Sequence, residues 1–509
     1  MLACRPPGVP KIDGVAGAPT DRTSPWPVPA AARTPPPKPE PTSAPVVSTA
    51  IREDSATAGS ARHLSLADVL DLALHRNPST RESWETALAS ADLYGAAKGA
   101  RYPTVNAALT LSENNGFGGG FNGVGGIGTT GIDTNRLSTT RGVGGGGSSN
   151  PQLFPTVSFS WLLFDYGARA GTIEAAKQQA IASNLAHNFN LQNVVLQAES
   201  TLFNYVAARA LRDAQLIAVK EATTDTAAAE AKLRVGLGIL EDVYQTRAAL
   251  AQARLQLVTF QGALVIAKGN LATALGFPAN ADFDVVDILP SDSVATVAAS
   301  VDTLINRAIT KRPDLAEARA TAEALAAQVR VARAASYPSL TLSSNGALAN
   351  RLLGQQTSGG GNLNYSLQLG LQIPIFNGFA RQYNERAAQA QYEAGLARVQ
   401  EARQQIAVQV FTSYSLLHTA VESIRESVEL VASATLAAEG ALGRYREGLG
   451  AITDLVLARS TLATARAQAI QARWEWQTNL ARLAHDVGSL DVAGRPNLPL
   501  GPSVPGVRR

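Results

Sequence analysis

The 509-residue sequence holds one cysteine, one methionine and five histidines. A single cysteine excludes an intrachain disulfide. The histidines, His63, His75, His187, His418 and His485, are scattered singly, without metal-ligand spacing. No serine-centred elbow, phosphate loop or Cys/His constellation is present, so the sequence reads as neither an enzyme nor a metal- or cofactor-binding protein. The lone Met1 leaves no methionine-rich path of the kind soft Cu(I) favours. Aromatic residues make up 6% against 45% hydrophobic, much of it alanine. That balance suits long, closely packed helices better than thick layered cores. A net charge of +3 is too small for this length to point to nucleic acid. Uninterrupted apolar runs of about 18 residues are missing, so no helix reads as a membrane span.

What is present begins with the ends. Met1-Leu2-Ala3-Cys4 is similar to the close of a bacterial lipoprotein signal, which makes Cys4 a candidate lipidation site. No apolar signal core precedes it, so the start reads as truncated or internal; chance placement of Cys4 in a tail is the alternative. Residues 1–62 form a proline-rich arm, where Pro35-Pro36-Pro37-Lys38-Pro39 rules out helix. From His63 the pattern turns helical.

The most informative feature is a duplication. Arg76-Asn77-Pro78 recurs as Lys311-Arg312-Pro313 and Tyr102-Pro103 as Tyr337-Pro338, both offset by 235. Phe164-Asp165-Tyr166-Gly167-Ala168-Arg169 answers Phe376-Asn377-Gly378-Phe379-Ala380-Arg381, and Arg234-Val235-Gly236-Leu237-Gly238 answers Arg446-Glu447-Gly448-Leu449-Gly450, both offset by 212. Asp242 with Asp454 and Gly276 with Gly488 keep the second register. The change of 23 falls at the glycine-rich run Gly116–Gly147 of the first half. Gly123-Val124-Gly125-Gly126-Ile127-Gly128 formally matches a dinucleotide fingerprint there, but 14 glycines in 32 residues make the match almost forced. It reads as a long loop. The repeats span 63–278 and 301–490, joined by 279–300 and followed by a tail at 491–509.

Each repeat has one order of elements. A helix begins near Pro78 or Pro313 and ends before Pro103 or Pro338. Alternating sequence follows, with strands at about 102–113, 154–164, 337–346 and 364–376. Val105, Ala107, Leu109 and Leu111 interleave with Thr104, Asn106, Thr110 and Ser112; Leu367, Leu369, Leu371 and Ile373 interleave with Ser366, Gln368 and Gln372. Period two gives one apolar and one polar face. The polar face lacks charge, each strand is long enough to cross a bilayer when tilted, and Trp161 and the Tyr-Pro pairs sit near strand ends as an interfacial belt would place them. A half-buried sheet over a soluble core is the competing reading.

Asp165 and Asn377 are suited to cap the helices that follow. Ala168–Leu233 contains no proline, and 66 residues give roughly 100 Å of helix at about 1.5 Å per residue. Leu191, Val195, Ala198, Leu202 and Tyr205 mark its apolar stripe. The next helix repeats by sevens at Val243, Leu250, Leu257, Leu264 and Leu271, echoed by Leu455, Leu462, Ala469, Trp476 and Leu483. Leu240–Leu275 and Pro78–Ala100 together approach the long helix in length, so two short helices can stack end to end beside one long one. Four strands cannot close a barrel and lipid tolerates no open sheet edge; if the strands are transmembrane, three chains supply twelve.

This duplicated order of helix, strand, strand, long helix, helix resembles the TolC-like outer membrane efflux protein family over residues 64–490. The sharpest match is at the tips, where Val235-Gly236-Leu237-Gly238 with Asp242-Val243, and Gly448-Leu449-Gly450 with Asp454-Leu455, resemble the family's Val-Gly-Leu…Asp-Val motif; Glu447 departs from it. The resemblance implies a mainly α homotrimer of the bacterial outer membrane, with a 12-stranded β-barrel in outer-membrane lipid continuous with a periplasmic α-helical barrel. It implies a passive exit duct whose tips meet a periplasmic adaptor protein and, through it, an inner-membrane pump. Val235, Gly236, Leu237, Gly238, Gly448, Leu449 and Gly450 are then the adaptor-docking candidates, and Asp454, Leu457 and Tyr445 the candidates for the entrance gate. Asp454 has a plain alternative as a helix-start carboxylate, a role Asp242 fits equally. Type I protein secretion and a coiled-coil stalk remain the other functional readings; the stalk accounts for the heptads but not for the duplicated strands.

Overall fold

A computed structural model describes residues 23–24, 63–114, 150–286, 295–351, 362–490 and 500–503. Cys4, nearly all of the proline-rich arm and the run Gly116–Gly147 lie outside the described residues. The chain divides into a helical unit (Met1–Gly95, Ile173–Ala327 and Gln389–Arg509) and a sheet unit (Ala96–Thr172 and Gln328–Ala388).

The duplication is visible in helix lengths that repeat residue for residue. Helix α1 (Leu66–Arg76) opens on a capping box: the Ser65 hydroxyl accepts the Asp68 amide at 3.3 Å, and the Asp68 carboxylate accepts the Ser65 amide at 2.9 Å. Its counterpart α5 (Val301–Lys311) also has 11 residues and is capped by Ser300. Asn77 and Arg312 then take the extended backbone required before proline, and Pro78 and Pro313 begin α2 (Pro78–Gly99) and α6 (Pro313–Ala334), each of 22 residues. The long helices α3 (Ala168–Arg234) and α7 (Ala380–Arg446) have 67 residues each, and α4 (Leu240–Ala274) and α8 (Ile452–Asp486) have 35 each.

Two short pairings complete the helical unit. β1 (His63–Leu64) pairs in parallel with β4 (Asp284–Val285), which draws these residues into a strand and moves the helix start from His63 to Leu66. β5 (Ala295–Val297) pairs antiparallel with β8 (Leu500–Ser503), so the segment between the repeats joins the tail. Nothing in two to four residues of sequence marks such pairings.

The predicted stripe Leu191, Val195, Ala198, Leu202 and Tyr205 is buried in the main core with Leu271, Leu304, Leu315, Ile406 and Val410. In α8 the heptad positions Leu455, Leu462, Trp476 and Leu483 are buried. In α4 only the ends, Val243 and Leu271, are; Leu255, Val258, Val265 and Ile266 on its other faces are exposed. By length and composition alone Leu240–Ala274 would also pass for a membrane span, with mean hydropathy 1.2 over its best window and none of that window buried. Isolated glutamines and Lys268 break the unbroken run the sequence reading required without lowering the mean below that level. Among the core side chains, Glu199 of α3 is buried, and desolvation raises its carboxyl pKa to about 7.

In the sheet unit β2 (Thr104–Asn114), β3 (Asn150–Phe164), β6 (Ser339–Arg351) and β7 (Asn362–Gln372) form one antiparallel sheet in the order β2-β3-β6-β7. The last strand stops at Gln372, short of the expected 376, because Pro374 has no amide to offer a ladder.

Gly276 ends α4 with φ +77°, and a Cβ there would lie 2.6 Å from the backbone oxygen of Arg76. Backbone conformation and close approach to the α1–α2 junction both demand glycine. Gly276→Ala lowers the melting temperature by several degrees. Gly262→Ala in the same helix, where nothing lies within 4 Å, leaves it unchanged or gains about 0.5–1 kcal/mol. Equal behaviour of the two variants in thermal unfolding contradicts the packing described.

Candidate functional site

Strand register sets the chemistry of the sheet. Val105 lies opposite Phe159, Ser344 and Leu367 across the four strands, and Trp161 opposite Leu342 and Leu369. The intervening rungs are Thr104, Ser160, Ser343 and Gln368, then Asn106, Ser158, Asn345 and Ser366. Neighbouring strands are thus in phase over these rungs: one face is almost wholly apolar, the other hydroxyl and amide. Val105, Leu109, Val157, Leu367, Leu369 and Leu371 are exposed on this sheet, which packs no core against them. An apolar face of this extent needs an apolar environment, and the opposite face suits water. β2 and β7 are edges, each with one row of backbone groups unpaired among the described residues.

At the strand ends, where the chain passes into helix, aromatics gather. Tyr166 stacks on Tyr337 at 5.0 Å and meets Phe164 edge-on at 4.8 Å; Phe376 and Phe379 meet edge-on at 5.4 Å. The Trp161 indole donates to the Arg101 carbonyl at 3.1 Å. The strand-to-helix turns are built alike. Arg169 donates to the Leu162 carbonyl at 2.7 Å and Arg381 to the Pro374 carbonyl at 2.6 Å, positions related by 212. The Asp165 carboxylate accepts the Arg169 amide at 2.6 Å and so caps α3 as expected; at Asn377 it is the backbone carbonyl that takes the Ala380 amide, at 3.4 Å.

The two helical tips, described within the helical unit, also share one construction. Gly236 and Gly448 have φ of +75° and +77°, the left-handed conformation of a Schellman turn. Gly236 donates to Leu233 and Leu237 to Lys232 in the first; Gly448 donates to Tyr445 and Leu449 to Arg444 in the second. Gly238 and Gly450 serve differently: their φ is ordinary, and an added Cβ would lie 3.1 Å from Lys232 and 3.0 Å from Arg444. The turns leave Val235 69%, Leu237 79% and Leu449 80% exposed. Ile239, Leu240 and Tyr244 extend the first patch, residues that sequence reasoning passed over because they fall off the heptad.

Asp454 is exposed in the first turn of α8, and Leu457 is exposed one turn on. Asp242 is half-buried in the first turn of α4. Tyr445, only 5% exposed, packs against Ala441, Ile452 and Leu455. Its hydroxyl has no hydrogen-bond partner among the described residues. Lys232 of α3 donates to the Tyr445 carbonyl and lies 4.2 Å from the centre of its ring. Burial, then the charges of Asp242 and Asp225, raise the Tyr445 phenol pKa. Lys232 was absent from the sequence candidates, although a cation four residues before the tip glycine recurs as Arg444. Farther from the tips, Arg459 of α8 pairs with Glu221 at 3.1 Å and Asp225 at 3.4 Å of α3, and Arg466 reaches Glu221 at 3.3 Å. These ion pairs border a cavity of about 480 Å³ among α3, α4 and α8.

Comparison with known proteins agrees with this geometry. A family model described as Outer membrane efflux protein matches residues 69–277 and 304–489. Protein CyaE of Bordetella pertussis is 28% identical over 439 residues, covering 85% of this chain and 86% of its own. The pyoverdine export outer membrane protein OpmQ of Pseudomonas aeruginosa is 28% identical, covering 64% and 67%. The Campylobacter jejuni CmeC outer membrane channel superposes with a TM-score of 0.69 at 17% identity, covering 89% of this chain and 94% of that one. Both halves of the duplication fall within the family match, and this chain belongs to the outer membrane efflux protein family, as an outer-membrane efflux channel whose helical part lies in the periplasm.

Proposed function

We propose that three copies of the chain close one 12-stranded barrel, and that the tips of their helices receive cargo from an inner-membrane pump through a periplasmic adaptor. The observation that carries this reading is the open four-stranded sheet with an apolar outer face. Its edges are satisfied in lipid only by pairing β2 of one copy with β7 of another. Three copies give twelve strands, within the range of even-numbered outer-membrane barrels. The exposed apolar residues of α4 (Leu255, Val258, Val265 and Ile266) and of α7 (Val408, Phe411 and Leu436) support burial between copies in the helical part as well. The lumen is lined by the face of hydroxyls and amides, so cargo choice rests with the pump. Acylation of Cys4 would add a lipid anchor to an assembly already held by its barrel.

The tips supply the adaptor surface through Val235, Leu237 and Leu449, held outward by the glycines beside them. Leu237→Glu combined with Leu449→Glu keeps the trimer and its barrel but abolishes export and adaptor pull-down. Undiminished pull-down rejects the docking role.

At the entrance, Asp454 is an exposed carboxylate and forms a ring of three in the trimer, with Leu457 one turn behind it. Asp242 is half-buried, and its charge helps raise the Tyr445 phenol, a structural place. In planar bilayers, Asp454→Ala weakens cation selectivity or divalent block at least several-fold, while Asp242→Ala changes selectivity little. Equal, negligible effects return Asp454 to the role of a helix-start carboxylate.

A further inference from the structure

The ion pairs that join α8 to α3 border a space that neither the sheet nor the tips use. The cavity of about 480 Å³ runs along the helices, from Gln215 to Asp225 on α3 and from Val456 to Ala467 on α8. Its volume lies within the range of small-molecule sites. At about 1.5 Å per residue it is about 16 Å long, with a mean cross-section of about 30 Å². A helix, about 10 Å across, does not fit such a slot, whereas a single extended chain does. Small residues make its walls: Ala218 and Ala222 of α3, Ala249 and Ala253 of α4, Ala463 and Ala467 of α8. Phe260 stands toward the end away from the tips and Asp225 toward the end near them.

The charged end is incompletely paired. Glu221 serves both guanidiniums, taking Arg459 at 3.1 Å and Arg466 at 3.3 Å. Asp225 is left with the Nε of Arg459 at 3.4 Å, and that buried nitrogen makes no hydrogen bond among the described residues. Only 7% of Asp225 is exposed, and burial raises its carboxyl pKa against the lowering charge of Arg459. A desolvated carboxylate so poorly supplied with donors gains from any N–H group that reaches it. Both arginines are more exposed than Asp225 and already share Glu221, so the head group that the slot favours is a cation.

Duplication alone does not produce this slot. In the register of 212, Glu221, Asp225 and Phe260 answer to Ser433, Ala437 and Ala472, and Ala218 answers to Leu430. The second repeat has neither the two carboxylates nor the aromatic end, and it puts a larger side chain where the first leaves room.

We propose that the slot is a binding site for an elongated primary amine, its ammonium group on Asp225 and its apolar chain along the alanines toward Phe260. An ammonium is compact enough for the slot and brings three donors. The lining comes from one chain, so the site does not depend on how many copies associate. Asp225 precedes Gly236 by 11 residues, about 16 Å of helix, which separates the site from the exposed residues of the tips. A bound amine ties both helices of the first hairpin to α8 of the second.

Isothermal titration of the full chain in nanodiscs tests the site with three probes of equal chain length, n-octylamine, n-octanol and octanoate, each corrected for titration into empty nanodiscs. One n-octylamine per chain binds saturably, and the alcohol and the carboxylate bind at least tenfold more weakly. Asp225→Asn, which keeps the shape and removes the charge, weakens n-octylamine at least tenfold. Ala218→Leu, which sets the second repeat's residue into the slot, does the same while leaving the helical circular dichroism unchanged. An unchanged n-octylamine affinity in Asp225→Asn overturns the head-group assignment, and an unchanged affinity in Ala218→Leu places the amine elsewhere and overturns the site. Octanol or octanoate as tight as the amine, or no saturable binding at all, overturns the proposal as well.

Discussion

An unpaired row of backbone amides and carbonyls is not tolerated in hydrocarbon, and among its described residues this chain carries two such rows, on β2 and β7. The rest follows from that constraint. The four strands expose apolar side chains on one face because they are built to meet lipid, and hydroxyls and amides on the other because they are built to meet water. A single copy satisfies neither edge, so the chain is half-finished as a monomer. Its exposed apolar residues on α4 and α7 follow the same logic in the helical unit, where a surface that would be a liability on a free monomer becomes the interior of an assembly.

Duplication is what makes such an assembly economical in sequence. Two copies of one unit, each with a 67-residue helix and a 35-residue helix, give nearly equivalent hairpins. The construction is reproduced down to the arginine that holds each strand-to-helix turn and the left-handed glycine at each tip. Differences between the halves are then the informative positions. Tyr445 against Leu233, and Asp454 exposed against Asp242 half-buried, all lie at the tips.

Much of this was legible in the residues. Prolines 78 and 313 marked helix starts, strict alternation marked the strands, and the absence of proline across Ala168–Leu233 marked the long helix to within one residue of its end. The family resemblance carried the tip assignment. What could not be read were interactions between segments distant in sequence. The Lys232 contact spans 213 residues, and its presence depends on how two hairpins lie side by side. The β5–β8 pairing joins two short segments with no strand pattern of their own. The exposed side of α4 was missed for a different reason: a heptad reading counts what one partner helix covers, and α4 has apolar residues on faces that helix does not reach.

The closure of the barrel by three copies is the claim on which the other readings lean, and native mass spectrometry of the detergent-extracted protein tests it most directly. The account predicts a particle of three times the chain mass, stable until the detergent or the sheet is disrupted. A folded monomer in the micelle, or a particle with any other number of copies, would contradict it.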